Sequence, residues 1–229
     1  MSNRLFHALA LGASAVLVLS GCASNSNFHT ARASGKGQAH AFTAFSFAQF
    51  SGDTLVLLED EDIDTVQTYV PQGIFFELGG MFGLLDKFDV GFKYTFPTAG
   101  CVEAKYTFLG GSKETGIFSA VGVRLGYTSF GDADDGEALA RVEYSLPLYF
   151  SYYPAEWFSV SLVPAYNGRI YTFGDVPLQN LVGGNANLHL GAKYGILLEY
   201  SYFRNLTSEW NEIQFGLGVT YEFEKLLFN

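Results

Sequence analysis

The chain has 229 residues, a formal net charge of −10 and only 16% charged side chains, and it contains 22 Phe, 14 Tyr and 26 Gly. The acidic balance, without a basic patch, argues against a nucleic-acid-binding protein, and two cysteines are too few for a disulfide framework. No apolar run after residue 22 reaches the ~20 residues that a membrane-spanning helix needs. Any membrane crossing must therefore be made by strands.

The N-terminus has the organisation of a secretory signal peptide. Arg4 precedes an apolar run from Leu5 to Leu19, which is short and rich in small residues. The run ends in LSGC, residues 19–22, which resembles the lipobox of bacterial lipoproteins. The resemblance implies cleavage before Cys22 and lipidation of its thiol, and the Ala that follows is consistent with an outer-membrane destination. An ordinary signal peptide with an incidental cysteine is the alternative.

Composition divides the chain into four segments. Residues 1–21 are the lipoprotein signal peptide, and residues 22–38 comprise the lipidated cysteine and a Ser/Asn/Gly-rich stretch that we expect to be a flexible tether. Residues 39–223 have the size of one domain, and residues 224–229 form a short C-terminal tail.

Period-two alternation and turn residues predict ten strands in the domain. In chain order they are residues 39–49, 72–83, 87–96, 101–109, 116–129, 139–153, 157–172, 182–194, 196–204 and 211–223. Most have the roughly 9–11 residues of a tilted membrane strand. Losing the first strand or merging two late ones would change the count, with eight or twelve strands as alternatives.

The connections between these strands fall into two alternating sets. Tight turns lie at residues 83–88, 110–116, 153–157 and 193–195. Longer connections include residues 50–71, which hold the acidic run EDEDID, and residues 130–138 and 173–181. Short turns at one rim and longer loops at the other are typical of outer-membrane barrels, and an even strand count returns the C-terminus to the periplasmic side.

Each strand has one bulky apolar face and one polar or small face. In QFGLGVTYEF, residues 214–223, Phe215, Leu217 and Val219 share one side, and Gly216 and Thr220 share the other. A soluble sandwich would bury the bulky face, whereas a membrane barrel would turn it to lipid and fill its lumen with the other face. Three features favour the membrane barrel. The polar faces are rich in Gly, Ala, Ser and Thr, aromatic residues recur near the strand ends, and the bulky faces of ten strands are too numerous for one core.

The polar faces carry a balanced set of charges. The six acids and six bases are Glu77, Asp89, Glu103, Glu143, Glu199, Glu222, Lys93, Lys105, Arg124, Arg141, Arg169 and Lys193. Charges held away from bulk water are costly unless paired, so we expect ion pairs between strands that plug the lumen. The two long acidic loops hold ten acids, six within residues 53–64 and four within residues 132–137. This number equals the magnitude of the net charge of −10, so we assign the excess negative charge to the outer loops.

With this topology, residues 38–223 resemble small Gram-negative outer-membrane β-barrel proteins. GLLDKFDVGFKYTF, residues 83–96, looks like the hairpin common in such barrels. The C-terminal strand resembles the β-signal of that family, although EKLLFN follows its last aromatic. The resemblance implies an all-β, transmembrane, antiparallel up-and-down barrel in the outer membrane, and the lipobox adds a lipid anchor on the periplasmic side. It implies outer-membrane lipid, lipopolysaccharide and the assembly machinery as partners.

Candidate catalytic and metal-binding residues are sparse. Beyond Cys22 the histidines are His29, His40 and His189, and only His189 lies within a clear strand, facing the lumen. DADDGE, residues 132–137, lacks the spacing of a calcium loop. We therefore expect no catalytic residue, metal site or cofactor, and a structural or surface-interaction role. A narrow channel for small solutes is the first alternative, and an outer-membrane enzyme is the second.

Overall fold

The computed structural model describes residues 25–223 except residues 52–53, 58–62, 67–72, 98, 111–114, 133–137, 173–176 and 208–209. The proposed lipidation site Cys22, the tail 224–229 and most of the acidic loop residues lie outside the described residues. Within the described ranges, no helix is long and apolar enough to cross a membrane.

Ten strands close into one antiparallel barrel, which confirms the predicted up-and-down architecture. The barrel strands are β1 (Ala39–Ser51), β4 (Gly73–Leu85), β5 (Phe88–Thr95), β6 (Ala99–Leu109), β7 (Gly116–Asp132), β8 (Ala138–Ala155), β9 (Phe158–Tyr171), β10 (Gln179–Leu190), β11 (Tyr194–Asn205) and β12 (Asn211–Phe223). Each pairs with its neighbour in sequence, and β1 closes the barrel by pairing with both β4 and β12. Between β1 and β4, the short strands β2 (Thr54–Leu57) and β3 (Ile63–Val66) form a separate two-stranded sheet.

The two ends of the barrel differ. We call the end with the connections β4–β5, β6–β7, β8–β9 and β10–β11 the turn rim; β1 begins there and β12 ends there. The opposite end is the loop rim. Most strand bounds lie within a few residues of the predicted ones, but the strand predicted at residues 182–194 is β10, which ends four residues earlier at Leu190. Residues 191–193 form the turn instead.

The bulky faces of the strands point outwards. Phe215, Leu217 and Val219 are 54–56% exposed, whereas Gln214 on the other face of β12 is fully buried. The same alternation recurs on β11, where every second residue from Tyr194 to Arg204 is exposed. An exterior covered by exposed Leu, Val, Ile and aromatic side chains is stable against hydrocarbon rather than water.

Exposed aromatic side chains lie at both rims. At the turn rim the ring centroids of Trp157 and Phe158 lie 5.9 Å apart, and those of Tyr194 and Tyr221 lie 4.9 Å apart. At the loop rim Phe96 contacts the rings of Phe76 and Tyr94. Aromatic rings prefer the interfacial region of a bilayer, so the two groups mark the edges of the apolar band.

The expectation of a flexible tether is wrong for the described part of residues 22–38. Residues 25–34, which we call the lumen segment, run inside the barrel, and Ser26, Phe28 and Ala31 are at most 1% exposed. The segment descends from Asn25 at mid-height, beside Asn185, to Ser34 at the turn rim, beside Asp89. The small polar residues that suggest a mobile chain in water also suit a polar lumen, because their backbone and side chains can bond to the wall.

The lumen segment connects to β1 through a tight turn. Gly35 and Gly37 adopt positive φ angles of 88° and 77°, and Gly37 N–H donates to the carbonyl oxygen of Gly83 at 2.8 Å. A Cβ atom at Gly83 would lie 2.0 Å from the carbonyl oxygen of Gly35. A glycine at position 83 therefore allows the chain to leave the lumen close against β4.

Candidate functional site

Three ion pairs line one wall of the lumen. They join neighbouring strands and their side chains are almost completely buried: Lys93–Glu77 at 3.1 Å, Lys105–Asp89 at 3.2 Å and Arg124–Glu103 at 2.9 Å. Asp89 and Lys105, like Glu103 and Arg124, are direct partners in the strand register. The strand pairing therefore positions acid and base opposite each other, which compensates for their removal from bulk water.

A second group of charges lies near the loop rim. Arg169 contacts Glu143 at 2.7 Å and Glu212 at 3.1 Å, and Arg141 contacts Glu143 at 2.9 Å. Arg169 is on β9 and Glu212 is on β12, which are not neighbours in the barrel. This pair therefore crosses part of the lumen between two strands that are not adjacent, on the side away from β5 and β6.

Charged wall residues bind the backbone of the lumen segment as well as each other. Lys93 Nζ donates to the carbonyl oxygen of Ser26 at 2.9 Å, and Lys105 Nζ donates to those of Thr30 and Arg32 at 2.8 and 3.0 Å. The Glu199 carboxylate accepts the N–H of Asn27 at 2.8 and 3.0 Å. Hydrogen bonds from an ammonium group are among the stronger ones, so the two lysines hold the segment firmly at these points.

Neutral side chains complete the hydrogen bonding of the segment. Asn185 Nδ2 donates to the carbonyl oxygen of Asn25 at 2.9 Å, and Asn187 Nδ2 donates to that of Asn27 at 2.6 Å. Ala31 is held on both sides: its N–H donates to Ser151 Oγ at 2.8 Å, and its carbonyl accepts from Thr107 Oγ1 at 2.8 Å. The wall thus supplies the partners that a neighbouring strand would supply in a sheet.

Phe28 provides the main apolar contact of the segment. Its ring packs in a buried cluster with Phe42, Ala44 and Leu197, at 5.2 Å from the Phe42 ring centroid. A Cβ atom at Gly216 would lie 2.7 Å from Phe28 Cζ. The absence of a side chain at position 216 therefore makes the niche in which the ring lies.

A polar chamber of about 450 Å³ opens at the turn rim beside the lower half of the segment, residues 29–34. Its lining includes His29, His40 and His189, together with Arg32 and Glu222, which pair at 2.8 Å. His189 faces the lumen, where its Nε2 lies 2.9 Å from Thr220 Oγ1. In the described part of the chain, no group of three or more His, Cys, Asp or Glu side chains is arranged to hold a metal ion.

The twelve residues of the expected charge network do not all come together. Eleven face the lumen: six form the wall pairs, Arg141, Glu143 and Arg169 lie near the loop rim, Glu199 binds the segment, and Glu222 pairs with Arg32. Lys193 does not face the lumen as predicted, because it is exposed in the turn that follows the early end of β10.

Two charged residues of the lumen were absent from the expected set. Glu212 shares the parity of Gln214 and Gly216 on β12, so the alternation alone could have assigned it to the lumen. Arg32 lies in the stretch expected to be a tether, where no sequence pattern indicates a partner.

Comparisons with known proteins support this fold. The chain is similar to an outer membrane channel from Pseudomonas putida F1, with a TM-score of 0.53 and 10% identity over 88% of this chain and 100% of that chain. Weaker similarity extends to the attachment invasion locus protein of Yersinia pestis, with a TM-score of 0.37 and 11% identity over 82% of this chain and 99% of that one. No protein-family model and no curated protein sequence matches. At 10% identity the likeness to the Pseudomonas putida channel establishes the fold alone, that of an outer-membrane β-barrel.

Proposed function

We propose that the protein is a closed β-barrel in the outer membrane of a Gram-negative bacterium, with a structural or surface-interaction role. The observation that carries the proposal is the occupied lumen: residues 25–34 follow its axis from mid-height to the turn rim, bonded to the wall throughout. The apolar exterior supports insertion into hydrocarbon. Lipid, lipopolysaccharide at the loop rim and the assembly machinery are the partners that such a barrel would have.

Planar-bilayer recording of the purified protein tests the closed state. We expect no large, steady openings, because the segment is buried in the lumen and bonded to several wall strands. Steady ohmic current from single insertions would contradict the closed barrel and favour a channel.

A narrow channel for small solutes is the second candidate. It is supported by the similarity to an outer membrane channel and by cavities on both sides of the lumen segment. One cavity is the turn-rim chamber, and the other extends from Asn25 to Thr95, Ala99 and Gly100 near the loop rim. Solute uptake into liposomes separates this candidate from the closed barrel.

Lipidation of Cys22, with anchoring from the periplasmic side, remains part of the proposal. Cys22 lies three residues before Asn25, the first residue of the lumen segment. An acylated chain would therefore carry its anchor at the N-terminal end of that segment.

Mass spectrometry of the N-terminal peptide tests the anchor. We expect an acylated Cys22 in the native protein and an unmodified chain in Cys22→Ser. An unmodified peptide beginning elsewhere than at residue 22 would indicate an ordinary signal peptide.

A further inference from the structure

We propose that the lumen segment, residues 25–34, is a removable plug, and that the barrel without it is an open, water-filled pore. This inference rests on the proposed closed barrel and names the device that closes it. The segment would act as an intramolecular peptide ligand of the lumen, recognised mainly through its backbone.

The manner of attachment distinguishes the segment from the strands. Wall side chains bind the backbone of Asn25, Ser26, Asn27, Thr30 and Ala31. Backbone-to-backbone bonds to the wall are found where the chain meets β4, at Gly37 and Gln38. The segment can therefore leave by breaking side-chain contacts, while the barrel ladder and the turn at Gly35 stay intact.

Three ion pairs of the wall persist when the segment is removed. Lys93 retains Glu77, Lys105 retains Asp89, and Arg124 retains Glu103. The backbone groups that these residues also bind can be replaced by water, since cavities adjoin the segment towards both rims. In an emptied lumen the three wall pairs persist, whereas Glu199 and Glu222 exchange their contacts with Asn27 and Arg32 for water. The persistence of the wall pairs favours a barrel that stays folded.

Residues 25–28 of the segment lie between two spaces, one towards each rim. Towards the turn rim the chamber runs beside the lower half of the segment and is lined by His29, Thr30 and Arg32. Towards the loop rim a cavity of about 30 Å³ lies beside Asn25 and is lined on β5 and β6 by Thr95 and Ala99. The bridge between Arg169 and Glu212 joins β9 to β12, away from β5 and β6, and Glu143, which also pairs with Arg169, lines the cavity. Withdrawal of the segment would join the two spaces into one bore.

The Phe28 niche offers a way to displace the plug in the full-length chain. A side chain at position 216 would occupy the place of the Phe28 ring. Gly216→Val should therefore expel the segment, and the double variant Phe28→Ala/Gly216→Val should accept it again. Gly126→Val is the matched control, because its added Cβ points into the lumen with its nearest atom, the Cβ of Cys101, 3.4 Å away.

The experiment compares single-insertion currents of these variants in planar bilayers, with heat-modifiable gel migration as the check of folding. We expect at least a tenfold greater open time for Gly216→Val than for the wild type, the Gly126→Val control or the double variant. A deletion of residues 25–34 should open the pore fully, and a synthetic peptide of residues 23–36 added on the turn-rim side should close it again. The same peptide with Phe28→Ala should need at least a tenfold higher concentration.

The outcomes separate the two proposals. A wild-type protein that already conducts steadily refutes the closed barrel. A closed wild type together with folded but closed Gly216→Val and deletion variants refutes the plug and leaves the closed barrel standing. If the deletion variant does not fold, the single-insertion current of Gly216→Val alone tests the plug, and a folded but closed Gly216→Val refutes it.

Discussion

Glu103 holds a central position among the charged residues of the lumen. It accepts hydrogen bonds from the Arg124 guanidinium at 2.9 and 3.1 Å and from the Tyr149 hydroxyl, and its side chain is 3% exposed. Tyr149 in turn accepts a bond from Asn27 of the lumen segment at 3.0 Å. One carboxylate therefore links two wall strands to the segment.

Removing this carboxylate should destabilise the barrel. We expect Glu103→Ala to lower the free energy of unfolding by about 3–5 kcal/mol, because a buried guanidinium loses its counter-charge. Urea titration of the protein in detergent micelles, followed by tryptophan fluorescence, measures the change. Glu222→Ala is the control: its pair with Arg32 is partly exposed, so the loss should be about 1 kcal/mol or less. Equal losses in both variants would contradict a special role of burial at Glu103.

Among the elements, the lumen segment differs from the strands in how its backbone hydrogen bonds are made. In the strands the backbone is satisfied by the ladder, and in the segment it is satisfied by side chains from the wall. A segment of this kind is stable only inside its barrel, since isolated strands without partners are not stable in water.

The reactivity of introduced thiols distinguishes a lumen segment from a flexible tether. In a background with Cys22→Ser and Cys101→Ser, Ser26→Cys should react with a maleimide at least about a hundredfold more slowly than Lys36→Cys. The reason is burial, as Ser26 is fully buried and Lys36 is exposed. Both thiols should react equally after unfolding. Similar rates in the folded protein would indicate that residues 25–34 spend most of their time outside the lumen.

At the scale of the whole molecule, the barrel is polar inside and apolar outside. Fully buried side chains include Arg141, Arg169 and Glu77, whereas exposed ones include Phe92, Leu125 and Leu162. Water-soluble domains have the opposite arrangement, with apolar side chains in the core. The medium around the molecule is therefore part of what makes the fold stable.

Refolding without hydrocarbon should accordingly fail. We expect residues 22–229, made without the leader, to aggregate on dilution from urea into plain buffer and to fold in detergent or liposomes. Circular dichroism and the fast gel migration of an unheated sample report the folded barrel. A compact monomer in buffer that ignores liposomes would contradict the assignment of the bulky faces to lipid.

The sequence by itself determined the strands, the orientation of their two faces and the separation of short turns from long loops. These are local properties, because the two faces follow from a period of two residues along each strand. Glu212 could have been assigned to the lumen in the same way. The early end of β10, which places Lys193 in a turn, is a boundary that alternation locates poorly.

Only the tertiary structure decided what fills the lumen. Asn27 binds Glu199, 172 residues later in the chain, and Ala31 binds Ser151, 120 residues later. No local pattern in residues 25–34 encodes such contacts, and the same Ser/Asn-rich composition is compatible with a mobile tether in water. The segment takes its position because the closed barrel presents polar side chains to it from many strands, and these come together only when all ten strands are in place.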